Sequence, residues 1–304
     1  MTARAAARPG ARFIDPATLA RIGNLELVAK TVVDGFIAGL HRAPYLGLSL
    51  DFAEHRAYHP GDDVRRIDWR LYARTDRYHV KEYEADTNAD FTVVLDVSRS
   101  MGYASGGISK LDYARCLAAT LTYFSHRQRD RVGMVAFADD VVERVPPSAR
   151  HLDAVLHALD RLEPARRGAL AAPLRRVAET LKRRGVVVVV SDFYEEPESA
   201  VAAVRRLRGR GGDVIVFHVL DPAELEFPFD RAATFRDLES GERIPVVPTE
   251  LRARYRELIE AHTAALARRF ADDGIDYALL NTATPLDHAL FGYLSARHRL
   301  SRVR

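Results

Sequence analysis

Asp96, Ser98 and Ser100 stand at alternate positions directly after an apolar, β-branched run, Phe91-Thr-Val-Val-Leu95. They offer one carboxylate and two hydroxyls, all oxygen. That donor set suits a hard divalent ion, Mg²⁺ or alternatively Mn²⁺ or Ca²⁺, better than zinc or copper. A short, continuously apolar run reads as a strand buried on both faces. Polar residues just past its end lie at the carboxyl edge of a sheet, where open α/β folds place their ligands. A second acid follows a second such run: five consecutive valines, Val186 to Val190, lead into Ser191-Asp192-Phe193. If the two strands are neighbours, Asp192 faces Asp96 across the cleft. Two carboxylates that close repel unless an ion or a proton lies between them. Each motif also has a plainer reading, a serine-capped strand-to-helix turn for the first and a helix N-cap for Asp192.

These residues need a sheet to hold them, and from residue 91 the pattern supplies one. Strands are predicted at Phe91 to Leu95, Arg131 to Phe137, Val186 to Val190, Val214 to Leu220 and Ile275 to Leu280. Helices are predicted between them at Lys110 to Arg127, His151 to Leu162, within Gly168 to Arg184, and at Ser199 to Arg210. Val141 to Val145 reads as an antiparallel neighbour reached through the Asp139-Asp140 turn. Alternating strands and helices imply an α/β fold with a doubly wound, mostly parallel sheet and right-handed crossovers. Residues 233–247 break the rhythm as a hairpin around Ser240-Gly241. A long helix follows from Thr249 to Asp272, with Leu251, Tyr255, Leu258, Ile259, Leu266 and Phe270 along one side, and Pro285 to Ala296 reads as a closing helix.

The segment before the sheet differs. Asp15-Pro16 opens a helix that Gly35 and Gly39 are expected to end. Residues 36–90 are rich in glycine and charge, with strand-like flanks at Leu46 to Ala57 and His79 to Glu84. The expected organisation is a disordered tail at 1–14, a helix and small β-rich module at 15–88, and the main α/β domain at 89–304. Trp69, the only tryptophan, is expected to be an anchor packed between the module and the main domain.

The 304 residues, 47% of them hydrophobic, suffice for a full core. With 45 basic and 42 acidic residues interleaved, bulk charge does not point to nucleic acid. Only four of the basic residues are lysines. The single cysteine, Cys116, excludes an internal disulfide and reads as a small buried residue. No apolar run approaches the roughly 18–20 residues of a membrane-spanning helix, and the first twelve residues lack the apolar core of a signal peptide, so a cytoplasmic protein is expected.

Taken together, Asp96-x-Ser98-x-Ser100 after the first strand and Asp192 after the fourth resemble the metal-ion-dependent adhesion site of von Willebrand factor A domains. In that family the serines and a threonine usually touch the ion, and the aspartates usually act through water. The resemblance implies metal residues Asp96, Ser98, Ser100 and Asp192. The threonine is missing: the expected Gly-Thr stands here as Gly168-Ala169. The segments Gly47-Leu-Ser49, Phe52-Ala-Glu54-His-Arg56-Ala-Tyr58, Gly61-Asp62-Asp63-Val-Arg65-Arg-Ile67-Asp68-Trp69 and Val80-Lys81-Glu82-Tyr83-Glu84 resemble the bacterial domain-of-unknown-function 58 family. In that family such a segment precedes a von Willebrand A-like domain. The resemblance implies work alongside a MoxR-type AAA+ ATPase in maturation or assembly, with an acidic side chain of a client completing the metal site.

The leading expectation is therefore a non-enzymatic binding module. A metal-dependent phosphohydrolase using Asp96 is the alternative, although Ser98 takes the place of the second acid of a D-x-D motif and no P-loop is present. RNA binding through Arg205, Arg206, Arg208, Arg210 and the basic 297–304 tail is a further alternative, without an aromatic platform beside those arginines. His55 and His59 have zinc-like spacing for a helix, but Pro60-Gly61 argues against one.

Overall fold

The computed structural model describes residues 24–42, 54–57, 69, 72, 74, 76–82, 89–164, 167–181, 183–208 and 212–286. The chain divides into a smaller unit containing Asp34–Thr87 and a larger one containing Phe13–Val33 and Asn88–Arg304. Helix α1, Leu25–Arg42, begins where the Asn24 side chain accepts the Leu27 amide at 3.0 Å. It runs through Gly35 and Gly39, correcting the expectation that they end it. A mid-helix glycine costs about 1 kcal/mol relative to alanine but forbids nothing. The expected start at Asp15-Pro16 lies outside the described residues.

In the smaller unit, β1 (Glu54–Ala57) pairs antiparallel with β2 (His79–Glu82). His55 therefore sits on a strand, and the i, i+4 zinc geometry of a helix does not apply to it. Trp69 is 59% exposed, with its edge against the rings of Tyr72 and Tyr78. A packed anchor was expected there. Instead the indole tops a small aromatic cluster in which Tyr72 and Tyr78 stack at 4.5 Å.

The larger unit is the doubly wound sheet. Its strands are β3 (Asp90–Asp96), β4 (Arg131–Phe137), β5 (Val141–Ser148), β6 (Gly185–Ser191), β7 (Asp213–Leu220) and β10 (Asp276–Asn281). They lie in the order β10-β7-β6-β3-β4-β5, all parallel except β5, which returns antiparallel to β4. Alternation along each strand sends side chains to both faces. One face, including Val94, Val135, Val187, Val189, Val214 and Val216, packs under α4 (Ala171–Thr180), α5 (Pro197–Arg208) and α7 (Pro248–Asp272). The other lies under α2 (Lys110–Arg127) and α3 (Leu152–Asp160). Residues Val188 to Val190 have no solvent exposure, and each such valine stabilises the fold by about 1.5–3 kcal/mol.

Between β7 and β10 lie a single-turn helix α6 (Pro222–Glu226) and a hairpin of β8 (Ala233–Arg236) with β9 (Arg243–Val246). The hairpin pairs Ala233 with Val246 and Arg236 with Arg243. The closing helix expected at 285–296 lies largely outside the described residues.

The chain enters the sheet at β3 in its middle, goes right to β4 and β5, then returns left to β6, β7 and β10. The order therefore reverses between β3 and β6. At such a point the loops leaving the two carboxyl ends splay apart and open a crevice.

Candidate functional site

The residues singled out from the sequence lie at the β3/β6 reversal, where Asp96, Ser98 and Asp192 are buried. Leu95 pairs with Val190, so the next residues, Asp96 and Ser191, stand side by side. The Ser191 hydroxyl donates to Asp96 Oδ2 at 2.6 Å, and the Ser98 amide donates to Asp96 Oδ1 at 2.9 Å. Asp96 is thus pinned at both oxygens. Burial, and secondarily the Asp192 charge, raise its pKa to about 7. After β3 the chain enters a 3₁₀ turn, Arg99–Gly102, whose tight winding brings the Ser98 and Ser100 hydroxyls to 3.0 Å from each other.

Asp192 has a different partner from the one expected. Its Oδ2 accepts from the Lys110 ammonium at 2.8 Å, and the same ammonium donates to Glu224 Oε1 at 2.7 Å. Lys110 is the first residue of α2, has no solvent exposure, and lies 4.9 Å from the Tyr194 ring centroid. Burial works against its charge, but Asp192 and Glu224 outweigh burial, and its pKa is raised above that of an ordinary lysine. Glu224 also caps α6 by accepting the Asp221 amide at 2.8 Å, while Asp221 receives the Ser105 amide at 2.9 Å. The loop after the 3₁₀ turn is thereby tied to the end of β7.

The backbone after Asp192 is strained in a way that fixes its direction. Phe193 has φ of 47°, the left-handed region that costs a non-glycine residue about 1–3 kcal/mol. Full burial of its ring against Phe270 and His218 holds it there.

The corner where a threonine was expected is occupied differently. Ala169 donates its amide to Ala138 O at 3.1 Å, and offers no hydroxyl. Gly168 packs so closely on the site that a Cβ there would come within 2.9 Å of Ser98 Cβ. Across this corner lies Glu239, from the turn between β8 and β9. Its Oε1 accepts the Ser100 amide and its Oε2 accepts the Gly168 amide, both at 2.7 Å. One carboxylate thus clasps the two loops that flank the Ser98–Ser100 hydroxyl pair.

Asp96, Ser98 and Ser100 are brought into one cluster with Ser191, and Asp192 borders it through its charge. Lys110, Ser191, Glu224 and Glu239 were missed. A signal existed for Lys110: it is one of only four lysines in an arginine-rich chain. Ser191 adjoins an acid already singled out. Glu239 gave no local signal, because it acts 139 residues away from Ser100.

The arginines considered for RNA are partly engaged. Arg205 pairs with Asp273 Oδ2 at 3.5 Å, and Arg208 donates to the Asp273 carbonyl. Arg210 and the 297–304 tail lie outside the described residues. Among the described residues no helix is long and apolar enough to cross a membrane, and no group of three His, Cys, Asp or Glu side chains has metal-holding geometry.

A mostly parallel sheet wound outward from its central strand and covered by helices on both faces is a von Willebrand A-like fold. A match to the model for Protein of unknown function DUF58 spans residues 54–265, and the chain belongs to that family. Uncharacterized proteins of Mycobacterium bovis and Mycobacterium tuberculosis are 30% identical over 291 residues, covering 94% of this chain and 91% of theirs. The structure of the conserved hypothetical protein BatB from Bacteroides thetaiotaomicron matches with a TM-score of 0.50 at 20% identity, over 69% of this chain and 99% of that one. The SpRpn10 VWA domain matches with a TM-score of 0.38 at 10% identity, over 67% of this chain and 93% of that domain. At these identities the likeness concerns the fold.

Proposed function

We propose that this protein is a non-enzymatic protein-binding module whose metal-ion-dependent adhesion-type site binds Mg²⁺, and that it works with a MoxR-type AAA+ ATPase in protein maturation or complex assembly. The observation that carries the metal reading is the Ser98–Ser100 hydroxyl pair, 3.0 Å apart. The two hydroxyls hydrogen-bond to each other, and with the neighbouring Asp96 carboxylate they would offer the hard oxygen donors that Mg²⁺ takes. The surrounding charge agrees. Asp96, Asp192, Glu224 and Glu239 converge on this region, and Lys110 answers only Asp192 and Glu224.

Ser98 and Ser100 would ligate the ion, and Asp96 and Asp192 would hold it by their charge, Asp192 while bonded to Lys110. The missing threonine leaves a coordination position for water, which Mg²⁺ retains readily. When bound, the ion supplies a positive centre able to accept a carboxylate oxygen. The chain's own residues order the loops, through Asp96 on the Ser98 amide and, in the chain without a partner, Glu239 on the Ser100 and Gly168 amides. The MoxR-type partnership rests on the family resemblance of residues 39–84. Against catalysis stands Ser98, which takes the place of the second acid that a D-x-D phosphohydrolase uses.

Titration calorimetry with Mg²⁺ and Mn²⁺ tests the ion. Wild type should bind at millimolar concentration or tighter, and Asp96→Ala should not bind. Capture of a MoxR-type ATPase that is insensitive to chelator would retire the ion from the mechanism.

A further inference from the structure

Glu239 reaches the site from a hairpin that buries little else. Most residues of β8 and β9 are exposed, Ile244 by 51%. Two anchors hold the hairpin. At its base Phe235 stacks on Phe227 at 5.6 Å and meets the edge of Phe229 at 5.0 Å. At its tip Glu239 bonds to the Ser100 and Gly168 amides, and the Asp237 carboxylate feels the Arg167 charge beside them.

The turn presenting Glu239 is itself stiff. Asp237 accepts the Glu239 amide at 2.9 Å and the Ser240 amide at 3.2 Å, and Gly241 closes the turn with φ of 77°. An acid on a rigid turn is thus offered to two converging backbone N–H groups beside a hydroxyl pair. Two charge-assisted bonds to one carboxylate make a specific receptor for that group.

We infer that the Ser100 and Gly168 amides form a carboxylate seat which Glu239 fills from within the chain, and that the partner presents an acidic side chain on a tight turn that displaces Glu239. The identity of the partner rests on the binding-module reading, whereas occupation of the seat does not. The hairpin is then a tethered competitor. Because Glu239 makes the hydrogen bonds that hold its tip and its strands are solvated, the hairpin can swing away without opening the core.

The test uses the full chain and a cyclised peptide copying residues 233–247, followed by fluorescence anisotropy in Mg²⁺ and in chelator. Glu239→Ala empties the seat and should bind the peptide at least tenfold more tightly than wild type does. A peptide carrying Glu239→Gln should lose that gain. If Glu239→Ala melts early by circular dichroism, Glu239→Gln in the protein serves as the second variant. Equal affinity for wild type and variant, no discrimination between the two peptides, or no binding by either protein overturns the inference. A gain that persists in chelator keeps the seat and counts against the ion. No gain, alongside Asp96-dependent Mg²⁺ binding, overturns the seat and leaves the module reading standing.

Discussion

At the scale of single residues, the Lys110 ammonium lies fully buried between Asp192 at 2.8 Å and Glu224 at 2.7 Å. Removing one partner of a buried ionic group leaves the others uncompensated, which typically costs about 3–5 kcal/mol. Lys110→Met should therefore lower the unfolding free energy by about that amount in urea titration. Combining it with Asp192→Asn and Glu224→Gln should restore most of the loss. A single substitution within about 0.5 kcal/mol of wild type would show that the trio does not hold the edge together. Residues at this scale were legible from the sequence when their partners were near in the chain. Asp96, Ser98 and Ser100 announce themselves by alternate spacing on one loop. Lys110 and Asp192, 82 residues apart, meet only because α2 begins where β6 ends.

At the scale of elements, strands were the most legible. Val186 to Val190 can be buried on both faces only in the middle of a sheet, and β6 lies between β7 and β3. The long helix was less legible, because periodicity reports a stripe and not how far the stripe is covered. On α7, Ile259, Leu266 and Phe270 are buried, whereas Leu251 and Leu258 on the same expected side are 46% and 55% exposed. Leu266→Ala should cost about 2–5 kcal/mol by loss of apolar contact and creation of a cavity. Leu258→Ala should stay within about 0.5 kcal/mol. Thermal or urea unfolding of both variants checks this, and equal losses would mean that the first half of the helix is covered too. The glycines of α1 make the same point: a residue that disfavours helix is not a stop signal when neighbours such as Val28 and Val33 are buried.

At the scale of the whole molecule, two buried groups set opposing pH dependences. Asp96 holds its proton up to about 7 when folded, against 3.8 as the ordinary value, so between these limits its contribution falls as pH rises. Burial lowers His218 from 6.5 to about 3, so in that window the unfolded chain binds the extra proton and stability rises with pH. Over their shared range, from about 4 to 6.5, the two slopes cancel. Asp96→Asn leaves the His218 slope uncompensated. Its stability in chelator should fall by about 1.4 kcal/mol more per pH unit of acidification than that of wild type. Parallel curves would refute the pairing of these two groups. Neither shift could be read from sequence, since both arise from burial that the sheet creates.

The overall winding was legible because alternation of strand and helix admits few topologies, but the strand order was not. That order puts β5 at one rim, with Pro146 and Pro147 at the irregular step between the Val132–Ser148 and Met134–Val145 pairs. A proline has no N–H to give, so this rim cannot template a visiting strand along its length. Edge-to-edge growth of the sheet by strand addition is interrupted at Pro146 and Pro147 on this side, whether the added strand comes from another protein or from a second copy of the chain.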